Sequence, residues 1–181
     1  LLQEKVLTIG ENIQIRRFEL VEGPCVAYVH AGGKIGVLVN FETDLDPADP
    51  EFVAYGKDVA MQIAALSTPY LDAASVPAEV LEHEKSIMVD QMKNDPKMAN
   101  KPEQVLVKIV EGKMGKFFKE NCLVEQEFVK DSSMTVGKYT ETVAKKLGSK
   151  IVIKQFVRFE KGEGIEKKQD DFAAEVASMV K

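Results

Sequence analysis

Two histidines and two cysteines are all that the 181 residues hold of the side chains that most often ligate metals or act as nucleophiles. Cys25 and Cys122 lie far apart and form no C-x-x-C, which argues against a disulfide framework or a zinc ribbon and suits a reducing, cytoplasmic setting. Neither cysteine has a base beside it in sequence and no G-x-S-x-G turn is present, so nucleophilic catalysis has little to work with. Long basic runs are missing as well. Net charge is −5, from 24 basic and 29 acidic residues, which speaks against nucleic acid as a direct partner. The apolar runs, such as residues 35–39, fall far short of the roughly 20 residues that cross a bilayer, so no membrane partner is expected. The chain opens Leu1-Leu2-Gln3 without Met and without a basic-then-apolar leader, and it reads as a fragment rather than a natural start.

Partial motifs fail on inspection. Lys34 follows paired glycines, but a phosphate-binding loop needs Gly where Tyr28 stands, Ser or Thr where Ile35 stands, and a helix behind it. Gly162-Glu163-Gly164 lacks the third glycine of a dinucleotide fingerprint. His83-Glu84 begins like a zinc-protease motif, yet Ile87 occupies the second ligand position. Asp44, Asp46 and Asp49 crowd one loop without the glycine and further oxygens that a calcium loop needs. The expectation is a protein without metal, cofactor or catalytic residues, one that binds rather than transforms.

What is present is an ordinary globular mixture, 45% hydrophobic and 29% charged, in a length that fits one compact domain or two small ones. Residues 12–41 read as three tightly joined strands: 12–20 with a phase slip at Arg16-Arg17, 25–30 after Gly23-Pro24, and 35–41 after Ala31-Gly32-Gly33. Asp49-Pro50 opens a helix whose Phe52, Ala60, Ile63 and Ala64 form a stripe to cover the sheet. A second helix follows Pro77 with a narrow seam of Val80, Leu81, Ile87, Met88 and Met92. After a polar break, Asn100-x-x-Glu103 resembles a capping box before Leu106, Val110, Met114 and Phe117. The pair reads as a helical hairpin, which either projects and offers its spare apolar positions to a partner or folds down on the body. Thr135 caps a shorter helix stopped by Gly148, residues 151–159 read as a strand returning to the same sheet, and Phe172, Val176, Met179 and Val180 form a last amphipathic helix. The architecture is segregated α+β: an antiparallel sheet of three to four strands, helices on one face, the inserted hairpin, and a C-terminal helix.

Several long blocks resemble a known family. They include Ile9-Gly10-Glu11-Asn12-Ile13, Arg17-Phe18, the stretch His30-Ala31-Gly32-Gly33-Lys34-Ile35-Gly36-Val37, Asp58-Val59-Ala60-Met61-Gln62-Ile63, and Lys101-Pro102-Glu103. Further on come Glu111-Gly112-Lys113, Glu125-Gln126-Glu127-Phe128-Val129-Lys130 and Phe156-Val157-Arg158-Phe159-Glu160-Lys161-Gly162-Glu163-Gly164. The chain is similar, over nearly all its length, to the C-terminal core and dimerisation portion of bacterial translation elongation factor Ts, the guanine-nucleotide exchange factor for elongation factor Tu.

The resemblance implies a core subdomain from residues 1–76 and 120–166, an antiparallel coiled-coil hairpin at 77–119 used for homodimerisation, and a C-terminal module at 167–181. His30 and Phe128-Val129-Lys130 match positions facing the third domain of elongation factor Tu. Asp171, Phe172 and Val176 match a module touching its GTPase domain. Val80, Leu81, Ile87, Met88, Leu106 and Val110 become the dimer seam. Full-length members also carry an N-terminal helical domain and a Thr-Asp-Phe-Val wedge. Here Glu42-Thr43-Asp44-Leu45 only echoes that wedge, with Leu45 in place of the phenylalanine and Asp46 in place of the valine. Exchange would need no acid or base, only tighter binding to the nucleotide-free partner. Read without the resemblance, His30 is a hydrogen-bonded strand-end residue, Phe128 and Val129 a core edge, and Phe172 and Val176 the packing face of a last helix. The alternative function is a stand-alone dimerisation scaffold with no exchange activity.

Overall fold

The computed structural model describes residues 1–165 apart from 97, 99 and 100, so the expected terminal helix lies outside the described residues. The elements run α1 (Leu2–Ile9), β1 (Cys25–His30), β2 (Ile35–Thr43), α2 (Pro50–Leu66), α3 (Ala78–Lys93), α4 (Glu103–Asn121), β3 (Glu127–Phe128), β4 (Asp131–Thr135), α5 (Val136–Leu147) and β5 (Ile151–Glu160). Short 3-10 turns at Ala73–Ser75 and Leu123–Glu125 bracket the α3–α4 pair. The main sheet is antiparallel in the order β1-β2-β5, and β3 and β4 form a separate ribbon. This is the α+β architecture expected from the pattern.

The strands alternate as a half-covered sheet should. Val26, Val37, Val39, Phe41, Ile151 and Ile153 are buried on one face, where α2 brings Phe52, Tyr55, Val59 and Ile63 against them. Helix α2 starts where the sequence says it must, because the Asp49 carboxylate accepts from the amides of Glu51 and Phe52 and Pro50 sits just inside. Phe41 meets Phe52 edge-on at 5.2 Å and Tyr55 at 5.6 Å, and each such fully buried side chain stabilises the fold by roughly 1.5–3 kcal/mol. The Tyr55 hydroxyl, which burial would otherwise leave unpaired, donates to Thr140 Oγ1 at 2.9 Å. Helix α5 carries the caps read from its sequence: Thr135 Oγ1 accepts from the Lys138 amide, and Gly148 takes the left-handed conformation at φ 64°.

Residues 12–20 correct the three-strand reading. No strand forms there; a helix, α1, precedes them, and Ile15, Phe18 and Leu20 stay exposed. Their alternation slips at Arg16-Arg17, so no one face stays apolar along the whole segment, and the outer edge of β1 is left without a strand among the described residues. Side chains anchor the segment: Arg17 lies 4.4 Å over the Phe159 ring and pairs with Glu163, while Arg16 donates to the Glu163 carbonyl.

The second and third expected helices are present, as α3 and α4, and pack antiparallel. Met92 meets Leu106 and Val110 at one end, while Val80 and Leu81 pack with Met114 and Phe117 at the other. These clusters are distinct from the sheet core. The expected capping box rests on Asn100, which lies outside the described residues; α4 starts at Glu103 behind Pro102, and the Glu103 carboxylate pairs with Lys93 at 2.8 Å across the turn. That pairing holds the carboxyl of Glu103 below its ordinary range and lifts Lys93 above its own. The base of the pair is stitched to the body by main-chain bonds, from the Tyr70 amide to the Asn121 carbonyl, from Leu123 to Tyr70, and from Val124 to Leu71.

Candidate partner-binding site

The segment 126–130 leaves the base of α4 and runs along α2, whose polar side chains hold it. Phe128 is buried and stacks on Tyr139, with ring centroids 4.3 Å apart and planes 14° from parallel. It is part of the core, the local reading given for it above. Val129 points outward, 44% exposed, while its amide donates to Gln62 Oε1 at 2.8 Å. Lys130 Nζ pairs with Asp58 Oδ1 at 2.5 Å, and the other oxygen of Asp58 accepts from the Tyr139 hydroxyl at 2.9 Å. Asp58 thereby ties Lys130 to the same aromatic pair that anchors Phe128.

Burial, with help from the bond to the Asp58 carboxylate, pushes the Tyr139 hydroxyl up to about 12. The folded form therefore favours the protonated phenol. Its contribution to stability is complete below the unfolded value near 10 and is lost as pH rises from about 10 through 12. A denaturation series over that range is expected to show falling stability in the parent and a shallower fall in Tyr139→Phe; identical slopes would contradict the assignment.

His30 sits at the tip of the β1–β2 hairpin, and its carbonyl accepts from the amides of Gly33 and Lys34. The turn places Ala31, Gly32 and Gly33 at φ 49°, 65° and 91°, a run that two glycines make affordable. The exposed imidazole meets the Tyr28 hydroxyl at 3.0 Å through Nδ1. No described hydrogen bond joins it to the 126–130 segment, so the structure brings Phe128, Val129 and Lys130 together and leaves His30 as a separate feature. Asp171, Phe172 and Val176 lie outside the described residues.

Of the six hairpin positions, Leu106 and Val110 are buried between the two helices, and Met88 joins both hairpin clusters. Val80 and Leu81 are half-buried beside Met114 and Phe117. Ile87 is exposed, as are Val105 and Val107, which the seam reading did not include. The narrow stripe read from the sequence is largely the seam within the hairpin. A groove of about 700 Å³ runs over Met88, Met92 and Phe117, bounded by Glu84, Lys113 and Glu120.

Sequence reasoning missed Asp58, Gln62, Gln126 and Tyr139. The available signal was that Asp58 and Gln62 stand one helical turn apart on a helix whose neighbouring Val59 and Ile63 are buried, and a polar residue in such a stripe requires a partner. Leu45, at the echo of the wedge, packs against the sheet core rather than standing free. Among the described residues no group of three His, Cys, Asp or Glu side chains could hold a metal ion, and no helix is long and apolar enough to cross a membrane.

A family model described as elongation factor TS matches residues 1–163. The elongation factor Ts of Symbiobacterium thermophilum is 49% identical over 181 residues, covering 97% of this chain and 58% of that protein. That of Syntrophotalea carbinolica is 44% identical, covering 98% of this chain and 58% of that protein. For the elongation factor Ts of Desulforamulus reducens the identity is 46%, over 88% of this chain and 73% of that protein. The chain thus spans less than three-fifths of the length of the first two relatives.

Proposed function

Because the chain belongs to the elongation factor Ts family, we propose that it docks on elongation factor Tu in the cytoplasm and contributes to release of GDP during translation elongation. The observation that carries this reading is the 126–130 segment: Val129 is held outward beside a charged Lys130, and both are fixed to the body through α2. A surface held in one geometry before contact costs less entropy to bind. His30, exposed at its turn, is the second contact we assign, and Asp171, Phe172 and Val176 belong to the same proposal through the family resemblance. The body comprises residues 1–76 and 120–166, the hairpin 77–119, and the terminal module 167–181.

In this role the chain has no reacting atoms to handle and is not an enzyme with catalytic residues. It works by binding the nucleotide-free partner more tightly than the loaded one, and reciprocity requires nucleotide to weaken its grip by the same factor. The wedge function is not assigned to Leu45, whose side chain is engaged in the core. Residues 1–181 alone are therefore expected to bind elongation factor Tu yet to accelerate release of labelled GDP far less than a full-length family member does. Equal acceleration by the two would show that these residues do more than dock. Absence of binding, tested together with Lys130→Ala and His30→Ala as weakened variants, would end the docking reading. We further assign homodimerisation to the hairpin, supported by its outward Ile87, Val105 and Val107.

A further inference from the structure

We propose that Gln62 is a positioning residue that sets the outward register of Val129 and Lys130 for docking; this rests on the reading of 126–130 as a contact for elongation factor Tu. Strand β3 is two residues long, and its pairing with β4 shifts register between Glu127 and Phe128. A ladder so short and irregular cannot by itself define which way each side chain faces. Gln62 supplies what the ladder lacks. Its Nε2 donates to the Glu127 carbonyl at 3.1 Å, and its Oε1 accepts from the Val129 amide at 2.8 Å. One side-chain amide thus brackets Phe128 as the backbone of a neighbouring strand would, fixing the Phe128 ring inward and Val129 outward.

The orientation of that amide is itself determined. Nε2 also donates to Gln126 Oε1 at 3.2 Å, and that oxygen accepts from Thr68 Oγ1 at 2.9 Å. Gln126 Nε2 in turn donates to the Glu120 carbonyl in the last turn of α4, at 2.9 Å. A flipped Gln62 amide would set donor against donor at Val129 and acceptor against acceptor at Glu127 and Gln126. Gln62 and Gln126 are both fully buried, so each lost bond leaves a polar atom without water to replace it. The network joins α2, the foot of the hairpin and the docking segment through one pair of amides.

The decisive variant is Gln62→Met, which keeps the length and removes every polar atom. It is expected to weaken binding of elongation factor Tu by about tenfold and to speed exchange of the Val129 amide by at least about tenfold. Ile63→Val, on the same helix but in the sheet core, loses stability without touching the segment and should leave both readouts unchanged. Gln62→Glu retains an acceptor for Val129 but sets a buried carboxylate oxygen against the Glu127 and Gln126 acceptors, and is expected to lose at least as much. If Val129→Asp abolishes binding while Gln62→Met binds like the parent, positioning is overturned. If Val129→Asp itself binds like the parent, the docking reading fails, and the Val129 exchange rate alone judges positioning: a parent-like rate in Gln62→Met overturns it. Should Gln62→Met not fold, Gln62→Asn, whose shorter amide cannot reach both main-chain groups, passes through the same assays under the same criteria.

Discussion

Gly56→Ala is expected to destabilise the fold by about 2–3 kcal/mol, although replacing a mid-helix glycine by alanine ordinarily gains roughly 0.5–1 kcal/mol. The reversal follows from where α2 crosses β1. A Cβ built on Gly56 would lie 2.5 Å from Val26 Cγ2 and 2.7 Å from Val26 Cβ, and Val26 is itself buried in the sheet. Neither atom is the far end of a flexible chain, so relief requires the helix to lift from the strand. That would loosen the contacts of Phe52, Tyr55 and Val59 together. Gly112, inside α4, has nothing within 4 Å of the equivalent atom and should show the ordinary gain. Equilibrium denaturation of the two variants beside the parent is the measurement: opposite signs are expected, and a neutral or stabilising Gly56→Ala would mean that the α2–β1 contact is looser than its distances.

The contrast between Gly56 and Gly112 also shows what a single sequence can disclose. Both are glycines within helical patterns, and only the crossing of another element distinguishes them. Features set by a residue and its near neighbours were readable: the Asp49-Pro50 start of α2, the Thr135 and Gly148 ends of α5, and the turn that places His30. The alternation of 35–41 and 151–159 identified true strands, because each found a neighbour to pair with. The alternation in 12–20, broken at Arg16-Arg17, misled: periodicity reports a face and does not say whether a strand will pair, and the outer edge of β1 has no strand on it among the described residues. The β3–β4 ribbon was invisible for the opposite reason. Asp131, Ser132 and Ser133 are exposed and carry no apolar rhythm, and the ribbon's placement comes from Gln62 and Asp58, 65 to 72 positions earlier in the chain. Long-range polar pairing of that kind leaves no period to detect.

Hairpin positions are where a stripe read from sequence needed the structure most, and there a second large effect is expected. Leu106→Asp should cost at least about 4 kcal/mol of local stability, because it places a carboxylate at a site 1% exposed, among Met92, Val110 and Met88, with no partner for the charge. The loss should remain in the hairpin. Its clusters are separate from the one built on Phe41, Phe52 and Tyr55, so amide exchange is expected to quicken along α3 and α4 while the sheet keeps its protection. Ile87→Glu makes the complementary case: the side chain is exposed, and its replacement should change stability by no more than about 0.5 kcal/mol. If two copies meet through the outward residues of the hairpin, Ile87→Glu should shift the sedimenting species from dimer toward monomer with its helices intact. Leu106→Asp should do so only by melting them. A dimer that survives Ile87→Glu together with Val105→Glu and Val107→Glu would remove the outward hairpin face as the seam. Quickened exchange in the sheet core of Leu106→Asp would show that hairpin and body unfold as one unit, through the main-chain bonds at Tyr70, Leu71 and Asn121.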